Sequence, residues 1–140
     1  MTGLVRPRVE PSEELDALAR RVIGAAIEVH RELGPGFVKS VYEEALALEL
    51  ELRSIAFSRQ VPIAVTYKGR RVGEARLDIL VAGQLVLELK AIAELAPVHT
   101  AQLMSYLKAT KYPLGLLINF NTPVLKSGIK RIVYTPPIRL

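Results

Sequence analysis

The chain has 140 residues, half of them hydrophobic, enough for one substantial core and too few for a second domain of similar size. No apolar run approaches the roughly 20 residues of a bilayer span, and M-T-G-L-V-R-P-R-V-E-P lacks a secretion signal's apolar core, so a soluble, cytoplasmic protein with no membrane partner is expected. With no cysteine, disulfides, thiolate zinc sites and cysteine nucleophiles are excluded, while the formal charge of +5 favours a polyanionic partner such as nucleic acid.

Residues 1–11 carry prolines and a glycine rather than a periodic pattern and read as a flexible arm. Ser12 is placed to cap a helix with an acidic first turn, along which Leu15, Leu18, Ala19, Val22, Ala26, Val29 and Leu33 recur at helical spacing until Gly34-Pro35-Gly36 stops it. A second helix follows, and Val41, Ala45, Leu48, Leu52 and Ile55 predict the stripe it turns to the core. From Phe57 the texture becomes β-branched and alternating, with strands expected near 60–67, 71–80 and 85–92 as a meander. Pro97 suits the first turn of a third helix, reaching about Lys108 or Thr110 and packing through Ala101, Met104 and Leu107. L-G-L-L-I-N-F then reads as a buried strand and G-I-K-R-I-V-Y as a more exposed one. The fold class expected is α/β, a mixed sheet with a three-strand antiparallel meander flanked by helices, in the order ααβββαββ, within residues 12–135 and followed by a short tail, 136–140.

Three charges interrupt the apolar run L-D-I-L-V-A-G-Q-L-V-L-E-L-K-A: Asp78, Glu88 and Lys90. Burying an ionised carboxylate costs several kcal/mol, roughly the penalty that drives such groups to pair, bind metal or neutralise. Strand alternation aims Glu88 and Lys90 at one face, and likewise groups Glu74, Arg76 and Asp78 opposite Ala75, Leu77 and Ile79. A two-residue turn at Ala82-Gly83 would separate the carboxylates, whereas an odd loop, Val81-Ala82-Gly83 with Gly83 left-handed, brings Asp78, Glu88 and Lys90 together; the odd loop is the expectation.

Such a trio suits metal-assisted phosphodiester hydrolysis: the carboxylates hold Mg²⁺ or Mn²⁺, and the ammonium orients water or stabilises phosphate charge. The competing reading is a cross-strand ion pair on a half-exposed sheet. His99, Gln102 and Tyr106 share a helical face that could complete the site, although a histidine there also suits capping or packing.

R-L-D-I-L-V, L-V-L-E-L-K-A-I, V-H-T-A-Q-L-M-S-Y-L-K-A-T, G-L-L-I-N-F and I-K-R-I-V resemble the bacterial GxxExxY proteins, a branch of the PD-(D/E)XK nuclease superfamily, as do I-G-A-A-I-E-V-H-R-E-L-G-P-G and S-V-Y-E-E-A-L. The resemblance spans about Val22 to Val133. It implies a restriction-endonuclease-like core and a nuclease with DNA as its partner, in a form that could be a homodimer. It also implies Asp78, Glu88, Lys90 and Gln102 as catalytic residues, with Asp78, Glu88 and the Leu89 carbonyl as metal ligands and Tyr106 as support. The family signature reads G-F-V-K-S-V-Y here: Gly36 and Tyr42 match, but Lys39 replaces the glutamate that adds a carboxylate in many relatives. Three outcomes are open: the metal manages without it, Glu43 reaches in, or the site is weakened to a binding module. The plainest expectation for Lys39 itself is a solvated i+4 pair with Glu43. Glu28 and Glu49 also match the family pattern.

Overall fold

The computed structural model describes residues 4–5, 9–136 and 138–139. Its elements run β1 (Leu4–Val5), α1 (Glu13–Leu33), α2 (Lys39–Leu52), β2 (Phe57–Tyr67), β3 (Arg70–Val81), β4 (Leu85–Lys90), α3 (Pro97–Thr110), β5 (Leu114–Asn119), a short 3-10 turn (Leu125–Gly128), β6 (Ile129–Val133) and β7 (Ile138–Arg139). Within the arm and tail read from the sequence, β1 and β7 pair antiparallel.

Strands β2 to β6 form one sheet in sequential order, antiparallel except for β4 and β5. That parallel pair requires a crossover, and α3 supplies it. Helices therefore cover both faces. On one, α1 and α2 pack over Ile79, Val81, Leu87, Leu89, Leu116 and Ile118. On the other, Leu103 and Leu107 of α3 pack over Leu80, Val86, Leu117 and Ile132. This is the expected α/β architecture with its antiparallel meander.

Local signals set the helix ends. The Ser12 side chain accepts the Leu15 N–H at 3.2 Å, and α1 ends at Gly34, whose φ of +69° disfavours a side chain. Helix α2 corrects the expected stripe: Tyr42, Glu43, Leu46, Ala47 and Leu50 are buried, Val41 and Ala45 only partly, and Leu48 and Leu52 are 56% and 71% exposed. Ile55 is buried, but beyond the helix end. The Tyr42 ring stacks on Phe120 at 4.6 Å, and this anchor fixes which of two apolar stripes turns inward. In α3 the inward residues are Leu103, Leu107 and part of Met104, while Ala101 is exposed.

The β3–β4 loop has the expected odd length but sits one residue later than read. Val81 pairs with Leu85, leaving Ala82, Gly83 and Gln84 as the connection. Ala82 and Gly83 both take positive φ, and the Gln84 N–H closes the turn on the Val81 carbonyl at 3.0 Å. The expected alternation along β3 breaks at Asp78: Ile79 belongs to the α1/α2 core, yet Leu77 packs with the α3 residues. Opposite the break, Gln60 has a φ of +51° and leaves the β2–β3 register unpaired at that step. Outward from there the β2–β3 hairpin leaves the body of the protein, and residues 64–74 are all exposed. Among the described residues, no helix is long and apolar enough to cross a membrane.

Candidate active site

Three elements meet at Asp78. Backbone pairing between β3 and β4 runs only from Val81↔Leu85 to Ile79↔Leu87, and there the Asp78 side chain takes over, its Oδ2 accepting the Leu89 N–H at 2.8 Å. From the first turn of α2, Lys39 Nζ donates to Asp78 Oδ1 at 2.9 Å. Lys39 thus pairs across the fold with Asp78 and not along its helix with Glu43. Asp78 and Glu88 are both buried.

Lys90 lies two residues beyond Glu88 and shares its side of β4. Its Nζ stands 3.9 Å from Glu88 Oε2 and donates to Gln102 Oε1 at 3.0 Å; Gln102 Nε2 in turn donates to the Tyr106 hydroxyl at 3.1 Å. The chain from Tyr106 through Gln102 fixes the ammonium beside the carboxylates. Helix α3 is seated tightly enough to hold that geometry, since a Cβ at Gly115 of β5 would come within 3.0 Å of the Leu103 side chain.

The remaining candidates have structural partners. Glu43 is gripped by Arg59 at 3.1 Å and Gln60 at 3.0 Å, and Arg59 also binds Glu44. Tyr42 is fully buried, which removes it from contact with nucleic acid. Its hydroxyl donates to the Gly34 carbonyl at 2.6 Å and accepts the Phe37 N–H at 3.2 Å, pinning the loop that delivers Lys39. His99 Nδ1 accepts the Ala96 N–H at 2.8 Å and so caps α3. Glu28 pairs with Arg31 on α1, and Glu49 with Arg53 just past the end of α2. Arg59 and Gln60, which hold Glu43 in place, were not singled out from sequence; the only local signal is a polar pair inside a strand.

Electrostatically the cluster is strained at Glu88. Burial, then the negative charge of Asp78, push its carboxyl up to about 7, against the opposing pull of Lys39, Lys90 and the Asp78 backbone. Burial alone would lower the Lys39 pKa, but the hydrogen bond and charge of Asp78, with Glu88 and Glu43, hold it above the usual value. Burial and then Glu88 raise the Tyr106 hydroxyl. Glu88 Oε1 is buried with no hydrogen-bond partner among the described residues, a state that costs about 1–3 kcal/mol or more for a charged group.

A family model described as the PD-(D/E)XK nuclease superfamily matches residues 16–132. The chain belongs to this superfamily. No curated protein matches the sequence. Members of the superfamily are typically nucleases, and those nucleases usually use a divalent ion such as Mg²⁺. The donors here fit such an ion: two adjacent carboxylates, one with an unsatisfied buried oxygen, and the Leu89 carbonyl between Glu88 and Lys90. Among the described residues no third acidic or histidine side chain converges with them. Mg²⁺ needs only one or two protein carboxylates, so the set suffices. Lys39 is the competitor. Its ammonium already holds one Asp78 oxygen, and with Lys90 it balances the two carboxylates charge for charge; its side chain is 41% exposed, enough to swing away.

Proposed function

We propose that the chain is a Mg²⁺- or Mn²⁺-dependent nuclease of the GxxExxY branch, hydrolysing phosphodiester bonds of DNA. The observation that carries this reading is the unpartnered Glu88 Oε1, buried beside a second carboxylate and within reach of a lysine held by Gln102. Asp78, Glu88 and the Leu89 carbonyl would hold the ion, which supplies Lewis acidity and an acidified water. Lys90 carries a fixed positive charge to the place where phosphate charge develops, and because Gln102 already orients it, little reorganisation is needed. Tyr106 orders Gln102. Gly36 and Tyr42 support the branch assignment through the loop they shape, although Lys39 replaces its glutamate.

Incubation with linear, single-stranded and branched DNA plus Mn²⁺ should give cleavage. Lys90→Ala should lower the rate of the folded protein, checked by circular dichroism, by about 10²–10³, the scale expected for one electrostatic stabiliser. Cleavage that persists undiminished in Lys90→Ala and Glu88→Gln would falsify the assignment. A second reading is favoured by the Lys39–Asp78 bond: a nuclease fold that binds nucleic acid without turnover, its ion position held by an ammonium. Salt-dependent binding of DNA, with no cleavage and no Mn²⁺ uptake by calorimetry, would establish that alternative.

A further inference from the structure

The exposed half of the β2–β3 hairpin has features that the fold does not need. Within residues 64–76 stand Lys68, Arg70, Arg71 and Arg76 against the single carboxylate Glu74, so three of the chain's five excess positive charges lie on this arm. Glu74 engages Arg71, and Arg76 donates to the Gln60 carbonyl at the base. Lys68 lies over the Tyr67 ring at 5.4 Å. Tyr67 and Val72 are 63% and 62% exposed. An isolated two-stranded ribbon is marginally stable, and cations on its tip add no packing. Its base, in contrast, is anchored: Val61, Ile63, Ala75 and Leu77 pack with α3, the helix that carries Gln102 and Tyr106.

We infer that this arm is a clamp for double-helical nucleic acid, laid along the duplex from the candidate active site; the inference rests on the nucleic-acid reading above. Strand β3 runs from Arg70 beside the tip to Asp78 and beyond, so it joins the clamp to the site directly. Arg70 lies eight residues before Asp78, a reach of at most about 26 Å at the strand rise, or about eight base pairs of duplex. Lys68, Arg70 and Arg71 meet phosphates, and a two-stranded ribbon is narrow enough for the major groove, where the Tyr67 ring finds base edges or sugars. A second copy of the chain pairing edge to edge along β2 is the competing occupant. Pro62, the irregular Gln60 and like charges on both arms oppose it.

The test is anisotropy with a fluorescein-labelled 30-base-pair duplex in EDTA, across a salt series, using full-length protein. Lys68→Ala/Arg70→Ala/Arg71→Ala should bind at least tenfold more weakly and flatten the slope of log K against log salt by two to three, about 0.9 for each phosphate that the variant no longer neutralises. Circular dichroism melts check the fold, and Lys68→Arg/Arg70→Lys/Arg71→Lys should restore most of the slope. Arg20→Ala/Arg31→Ala/Lys126→Ala removes equal charge from α1 and the 3-10 turn, and should change the slope far less. An unchanged slope in the arm variant, an equal loss in this control, or a dimer in light scattering that dissociates when the arm is altered would overturn the clamp. If the wild type cleaves DNA and the arm variant binds and cleaves normally, the clamp fails and the nuclease stands. If nothing cleaves but the arm variant alone loses binding, the clamp stands and the nuclease fails.

Discussion

The two faces of the sheet are built to different standards. Among the described residues, the core under α1 and α2 gathers twenty-one buried hydrophobics; the one under α3 gathers nine. The charges of the candidate site lie at the edge of the smaller core, Lys90 held by α3 through Gln102, and Lys39 arrives from the other layer. A single helix covers less of a five-stranded sheet than two do, and of the four charges here only the two lysines keep part of their side chains exposed, 41% for Lys39 and 18% for Lys90. The larger face supplies stability and the smaller one tolerates buried charge, a division that keeps a polar cluster from weakening the whole fold.

Neighbouring leucines on β5 break this comparison most directly, because Leu116 points into the larger core and Leu117 into the smaller, both fully buried. Leucine-to-alanine changes in cores cost about 2–5 kcal/mol, more where the surroundings cannot collapse. Leu116→Ala should fall near the top of that range and Leu117→Ala near the bottom. Only Leu117→Ala should disturb the seating of α3 and reduce cleavage by the protein that remains folded. Urea melts and single-turnover assays separate the two; equal costs and equal activity losses would erase the distinction.

Next in size is the pH dependence centred on Glu88. Its folded pKa, about 7, lies above the ordinary 4.5, so the folded state binds the proton more tightly. The stabilisation is complete below about pH 4.5 and is lost as pH rises through about 7, on the order of 3 kcal/mol in total. Glu88→Gln should flatten this part of the stability profile in metal-free buffer. A profile identical to that of the wild type would show that the carboxylate is ionised throughout.

The smallest effect sharpens the role of Lys39, which crosses between layers. Lys39→Glu removes an ammonium from Asp78 and adds a carboxylate, and should tighten Mn²⁺ binding by about tenfold, or ~1.4 kcal/mol. Lys39→Ala should fall between it and the wild type in calorimetry. Weaker binding in both variants would mean that Lys39 supports the ion position instead of competing for it.

Much of this was legible in the sequence because it depends on local rules. Ser12 and Gly34 bracket α1, and alternation with an odd turn brings Asp78 and Glu88 to one side. Three features escaped because distant contacts decide them. In K-S-V-Y-E-E-A-L-A-L-E-L-E-L nearly every face is apolar, and only the stacking of Tyr42 on Phe120, 78 residues away, selects Tyr42, Leu46 and Leu50 over Leu48 and Leu52. Helical spacing pairs Lys39 with Glu43, but Arg59 and Gln60 occupy Glu43 and leave the lysine to Asp78. The break in alternation between Leu77 and Ile79 depends on the positive φ of Gln60 on the neighbouring strand, which composition does not reveal.

The bond from the Leu89 N–H to Asp78 makes that aspartate a surrogate for main chain, continuing the β3–β4 ladder where backbone pairing stops. Its carboxylate orientation is therefore inherited from the sheet and requires no separate immobilisation. For genetics the same fact is a hazard: alanine at position 78 unpicks a seam as well as deleting a charge, and a dead variant there would confound misfolding with lost chemistry. Asparagine, which keeps the acceptor, is the informative replacement, and Lys90 and Glu88 are the positions at which loss of function can be interpreted directly.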